Sequence, residues 1–306
     1  MKIGIVVGRQ GETLDQAIDN IVQAEQAGFA SVWRPHIFGL DALTVLALAG
    51  SKTERIELGT AVVPTYPRHP HSLAQQAATA DLATGGRLAL GVGRSHQVVI
   101  ENMFGLVYDK PITHMREYVT AMRDLFAHGF CSIDGKNYRI NAPLELTEHR
   151  PIPILVGALM PKMLELCGQL CDGTLTWMAG PKYVADTIVP ALESASSAAG
   201  RPTPRTVVSL PLCVTDDADG ARQAAAKMFE VYGTLPVYRA CLDAEGAAGP
   251  ADVALVGNED EVRAGLQRLV DAGATDFYAG PFPHGDEAES MGRSMAFLQS
   301  LGGALG

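Results

Sequence analysis

Along the chain, short continuously apolar runs alternate with longer stretches whose apolar residues recur every three or four positions, and the alternation repeats about eight times. The first run, Lys2 to Val7, precedes a segment that aligns Leu14, Ile18, Ile21 and Val22 on one helical face, with Thr13 and Gln16 at capping-box spacing. Gly28 leads to a strand at Ser31 to Arg34 and a helix at Asp41 to Ala49. Ile56 to Pro64 (IELGTAVVP) and Arg87 to Gly93 (RLALGVG) are apolar at successive positions, as strands covered on both faces should be, and the helix between them carries a second capping-box spacing at Ser72. Pro153 to Gly157, Gly173 to Met178, Val207 to Thr215 and Thr275 to Ala279 supply four more strands. Helices at His114 to Ala127, Pro161 to Gln169, Pro181 to Ala199 and Glu259 to Ala272 fall among them, the last capped by Asn258 with Glu261.

Strand and helix in strict alternation demand a parallel sheet, and eight units in one domain, residues 1–306, predict an α/β (β/α)₈ TIM barrel with insertions. One insertion is FCSIDGKNYRI, in which Asp134-Gly135 reads as a two-residue hairpin turn. Gly200 to Pro204 reads as a loop within the same rhythm. Leu235 to Pro250, long and rich in Gly and Ala, reads equally well as a connection of the kind that forms lids or substrate loops and as a plain excursion without function.

Composition narrows the partners. The chain has 306 residues and a formal charge of −10 with no Lys/Arg run, which argues against nucleic acid and anionic membranes. No apolar stretch is long enough to span a membrane, and MKIGIVVGRQ lacks the apolar run of a signal peptide, so a cytoplasmic location is expected. The five cysteines are odd in number and scattered, which indicates neither a disulfide framework nor a zinc site.

In such a barrel the chemistry lies beyond the C-terminal ends of the strands. Those positions carry Arg9, Arg34 and His36, Thr60 to Thr65, Arg94 to His96, Gly157 to Met160, and Trp177. Basic residues thus gather at the strand ends of an acidic protein, which favours an anionic ligand such as a phosphate. Gly157 and Ala158 lie directly before a helix beginning at Pro161, whose free N–H groups suit a phosphate as well as they suit an ordinary loop. His36 and His96 are candidate proton carriers without an adjacent carboxylate. With no G-x-S-x-G elbow and no HExxH spacing, the pattern leans toward chemistry carried by a bound cofactor.

The segments AEQAGFASVW, GTAVVPTYPRHP, LATGGRLALGVGRSH, VGALMPKMLELCGQLCDGTLTW and LVGNEDEV, in this order, resemble the luciferase-like oxidoreductases, specifically their deazaflavin branch. The resemblance implies a hydride-transferring enzyme using coenzyme F420, a small-molecule substrate and a homodimer. It also implies a cis peptide at Ala61-Val62 that forms a bulge against the cofactor ring, with Thr60, Ala61 and Val62 touching that ring. Gly93, Arg94 and Ser95 would flank the ring or ribityl chain, Gly157, Ala158, Leu159 and Met160 would meet the phosphate, and Arg9 and Trp177 would border the substrate. The chain departs from the family pattern at Pro35, where relatives often carry an acid before the histidine, at Leu159 and Met160, where glycines are common, and at His96, where some relatives carry Glu. Competing readings are a flavin mononucleotide (FMN)-dependent monooxygenase on the same barrel and a non-catalytic flavin-binding protein.

Overall fold

The computed structural model describes residues 1–8 and 10–306. Eight parallel strands close into a barrel: β1 (Lys2–Val6), β2 (Ser31–Arg34), β3 (Glu57–Thr60), β4 (Leu88–Gly93), β5 (Ile154–Gly157), β6 (Gly173–Trp177), β7 (Arg205–Ser209) and β8 (Asp276–Pro281). Each pairs in parallel with the next, and β8 returns to β1 with Lys2 opposite Asp276, which closes the ring. The apolar runs are buried because one face of every strand meets the barrel interior and the other meets a helix.

The interior is small and aromatic. Trp33 and Tyr278, rings 5.5 Å apart, fill it with Ala89, Leu155, Leu175 and Val207. Trp33 fits because β3 offers Gly59 beneath it; a Cβ there would overlap the indole. The larger core lies between strands and helices and runs around the whole molecule.

Several sequence expectations change in detail. The third strand does not run unbroken from Ile56 to Pro64: between the pairs Gly59↔Ala89 and Val63↔Val92 it holds one residue more than β4, a bulge, and the Ala61-Val62 peptide inside it is cis. Val207 to Thr215 breaks at Leu210, and its second half, Pro211–Val214, pairs with both β8 and a short strand at Leu255–Gly257. The helix expected to start near Ser72 begins at Pro70 and is capped by His69, because a proline suits the first helical position. The hairpin Phe130–Asp134/Arg139–Pro143 turns through four residues rather than two, since the Glu117 carboxylate accepts the N–H groups of Lys136, Asn137 and Tyr138 and fixes a wider loop. Leu235 to Pro250 is not an irregular connection: Pro236–Glu245 is a helix with Val237, Cys241 and Leu242 on its inner side. No helix among the described residues is long and apolar enough to cross a membrane, and all five cysteines are buried and free.

Candidate active site

At the C-terminal ends of the strands the chain encloses a cavity of about 170 Å³, space for roughly six waters. Its floor is the bulge, Ala61 and Val62. One wall is Gly93 to His96, leaving β4; the facing wall is Gly157 to Leu159, leaving β5; Thr176, Trp177 and Tyr278 stand behind, and Val237 and Tyr238 of the 236–245 helix form the roof.

Local chemistry builds each part. Thr60 is buried directly behind the bulge, where its Oγ1 donates to Gly91 O (2.7 Å) and accepts from Gly91 N–H (2.9 Å), replacing the ladder bonds that the bulge interrupts. Gly93 is required by contact, because a Cβ there would collide with the Val62 side chain. Ser95 (φ 60°) and Met178 (φ 61°) adopt left-handed backbone just past β4 and β6, turning the chain sharply at the cavity edge.

Polar groups at this end are left unpaired. Arg94 makes no hydrogen bond or ion pair with any described residue. The helix Pro161–Leu170 has no side-chain cap at Met160. The N–H groups of Leu159, Met160 and Lys162 meet no acceptor among the described residues, although Leu159 is buried. Thr176 Oγ1, also buried, has no partner among the described residues. Burial, and then the Arg94 charge, push the His96 pKa down, so its ring is neutral at neutral pH; it lies 5.8 Å from the Tyr238 ring. Burial likewise pushes the Tyr238 and Tyr278 hydroxyls well up, so both stay neutral.

The roof is held by Glu245, whose carboxylate accepts from Lys182 N–H (3.1 Å) and Tyr183 N–H (2.7 Å) at the start of the helix beginning at Pro181. Tyr183 in turn donates its hydroxyl to Leu159 O at 2.8 Å, linking the roof to the loop after β5.

Of the residues singled out from sequence, Ala61, Val62, Gly93, Arg94, Ser95, His96, Gly157, Ala158, Leu159 and Trp177 all line the cavity. Thr60 sits one layer behind it, and Met160 does not line it but is the N-cap of the helix that follows β5. His36 does not reach it. Its Nδ1 accepts from Ala42 N–H (3.2 Å) and its Nε2 lies 3.2 Å from Arg68, so it meets the first N–H of the helix Ala42–Gly50, whose cap is Asp41. Burial would raise the neighbouring Asp41 carboxyl, but hydrogen bonds from Arg68 and Thr44 outweigh it and hold the pKa at about 2. Arg9 lies outside the described residues. Thr176 and Tyr278 were not singled out, whereas Val237 and Tyr238 belong to the Leu235 to Pro250 segment read as a lid or substrate loop, which covers the cavity as a helix and not as a loop.

This arrangement has known counterparts. The luciferase-like monooxygenase family matches residues 1–302. The chain belongs to that family. It is 27% identical over 288 residues to 5,10-methylenetetrahydromethanopterin reductase of Methanolobus tindarius, covering 84% of this chain and 87% of the relative. It is 34% identical over 197 residues to a Mycobacterium tuberculosis protein provisionally named a coenzyme F420-dependent oxidoreductase; that match covers 60% of this chain and only 57% of the relative's length. Among solved structures, an F420-dependent secondary alcohol dehydrogenase in complex with an F420-acetone adduct superposes with a TM-score of 0.78 at 20% identity, covering 92% of this chain and 93% of that one, and shares the fold.

Proposed function

We propose that the enzyme is an F420-dependent oxidoreductase that moves a hydride between the deazaflavin and a small organic substrate in this cavity. The names of the sequence relatives support the cofactor. The observation that carries the reading is the set of unpaired groups at this end of the barrel, a guanidinium, three free N–H groups at a helix start and a buried hydroxyl, which suit an anionic ligand.

The residues present fit such a group. Ala61 and Val62 back the ring, and Gly93, with no Cβ, lets it approach β4. Arg94 and Ser95 flank it, and Gly157, Ala158, Leu159 and Met160 present backbone to its phosphate. Thr60 holds the bulge rather than touching the ligand. When bound, a deazaflavin supplies obligate two-electron chemistry. The chain supplies position, a low-dielectric enclosure under Tyr238, and a neutral His96 equipped to accept the proton that leaves the substrate on oxidation and to return it on reduction.

Titrating the apoprotein with F420 and with FMN tests this directly. F420 binding without FMN binding is expected; tight FMN binding with none for F420 would replace this reading by the flavin monooxygenase one. Substrate-dependent oxidation of reduced F420 separates an enzyme from a storage protein.

A further inference from the structure

Resting on that reading of the cavity, the surface beside it adds a statement about the substrate. More than half of the large apolar side chains left exposed lie in two loops of the C-terminal face, those following β2 and β4. Ile37 and Phe38 are 66% and 65% exposed and Val107 is 77% exposed, with Val98, Met103 and Phe104 beside them. Exposure of this kind, gathered in one place, marks a binding surface rather than chance.

The surface is continuous with the cavity. His96, which lines the cavity, accepts through its carbonyl the N–H groups of Val99 (2.9 Å) and Ile100 (3.0 Å), and so starts the π-helix Val99–Met103. Phe104 ends that helix, and its ring meets the Phe38 ring edge-on at 6.3 Å. The far end of the loop is tied down by Tyr66, which stacks on Tyr108 (5.0 Å) and donates to Asp109 O (3.1 Å). An apolar shelf therefore runs outward from His96 across Phe104 to Phe38.

Charge inside the cavity points the same way. Among the described residues no carboxylate lines it; Tyr238 and Tyr278 are neutral, and the Arg94 guanidinium is the group that flanks the bound cofactor. Among the described residues a charged substrate would find no partner of its own there.

We propose that the substrate is an uncharged molecule with an extended apolar body, its reacting end beside His96 and its remainder lying over Phe104 and Phe38.

Calorimetric titration with a series from 2-butanone to 2-decanone, and with the matching n-alkanoates, tests it on the full chain alone and with F420 bound. Affinity for the ketones should rise roughly two- to fourfold per methylene, as apolar burial dictates. The double variant Phe38→Ser/Phe104→Ser should bind 2-butanone as the parent does and lose roughly tenfold on 2-decanone. Phe130→Ser, which removes an exposed phenyl on the hairpin, should change nothing. A flat ketone series, an unchanged slope in the double variant, or tighter binding of the alkanoates overturns the proposal. So does a change of sedimentation from dimer to monomer in the double variant with the slope retained, which would make the shelf a contact between copies. F420 failing to bind while the slope persists in the chain alone would sink the cofactor reading and leave this one standing; F420 binding without a slope would do the reverse.

Discussion

Two arginines at opposite ends of the barrel, Arg205 and Arg94, are held in opposite ways, although Arg34 at the C-terminal end of β2 is itself paired with Glu12 at 2.6 Å. At the N-terminal end, Arg205 of β7 donates to both carboxylate oxygens of Glu57 (3.0 and 2.8 Å) and of Asp276 (3.1 and 2.6 Å), and it lies 5.9 Å from the Trp33 ring. Burial opposes its charge, but the hydrogen bonds of Asp276 and then Glu57 outweigh it and raise its pKa. Three strands are thereby tied beneath the aromatic interior. At the C-terminal end, Arg94 has no such partner, and Thr176 Oγ1 and the N–H groups after β5 share its condition. A satisfied network specifies and rigidifies; unpaired polar groups in a cavity lose stability unless a ligand meets them. Arg205 is thus held for the fold, and Arg94 is left for a ligand.

The comparison can be tested from its strongest consequence downward. Arg205→Met, which leaves Glu57 and Asp276 without their cation, should lower stability by about 3–5 kcal/mol in denaturant unfolding; a cost under about 1 kcal/mol would remove the contrast. Arg94→Ala should leave stability within about 0.5 kcal/mol and weaken F420 binding roughly ten- to hundredfold, measured by titration. Equal losses of stability in both variants would mean that the two arginines do the same work.

Acid should act unevenly on the two ends. His114 is buried behind the bulge extension, with its Nε2 2.8 Å from Thr65 Oγ1 and its ring stacked 4.0 Å from Tyr66. Burial lowers its pKa from 6.5 to about 4, and the nearby Glu117 only partly opposes this. The unfolded chain takes up this proton first, so the contribution is complete above pH 6.5 and is lost as pH falls through about 4. The loss should reach roughly 3 kcal/mol, appear first as faster hydrogen exchange in the hairpin 130–143, and disappear in His114→Gln. The smallest effect is expected at the roof. Glu245→Gln keeps an acceptor at the helix start but removes the charge, costing about 0.5–1 kcal/mol of closure and raising KM a few-fold with kcat little changed.

Much of the fold was legible because each barrel strand shows its own signature, a run apolar at every position, and each helix its own 3.6-residue period. Leu88–Gly93 could be placed from its residues alone, and so could the Thr13 and Asn258 caps, whose hydrogen bonds form as their spacing requires. The helix Pro236–Glu245 was not, because Gly and Ala on either side of it read as a loop and its apolar face is short. His36 shows the other kind of miss. It follows a barrel strand as a site residue should, yet Arg68 and the Ala42 N–H, one from a distant turn and one from the next helix, draw it away from the cavity.

What the sequence determined by itself was periodic or local: eight strand and helix units, the glycines and prolines that shape their ends, and a collection of basic and small residues at one end of the strands. Which of those residues share a cavity was decided by tertiary structure alone. Convergence of Val62, Arg94, Gly157, Thr176 and Tyr238 depends on barrel closure, on one extra residue in the third strand, and on a helix folded back over the strand ends. Residues far apart in sequence meet there through packing whose partners no local window contains.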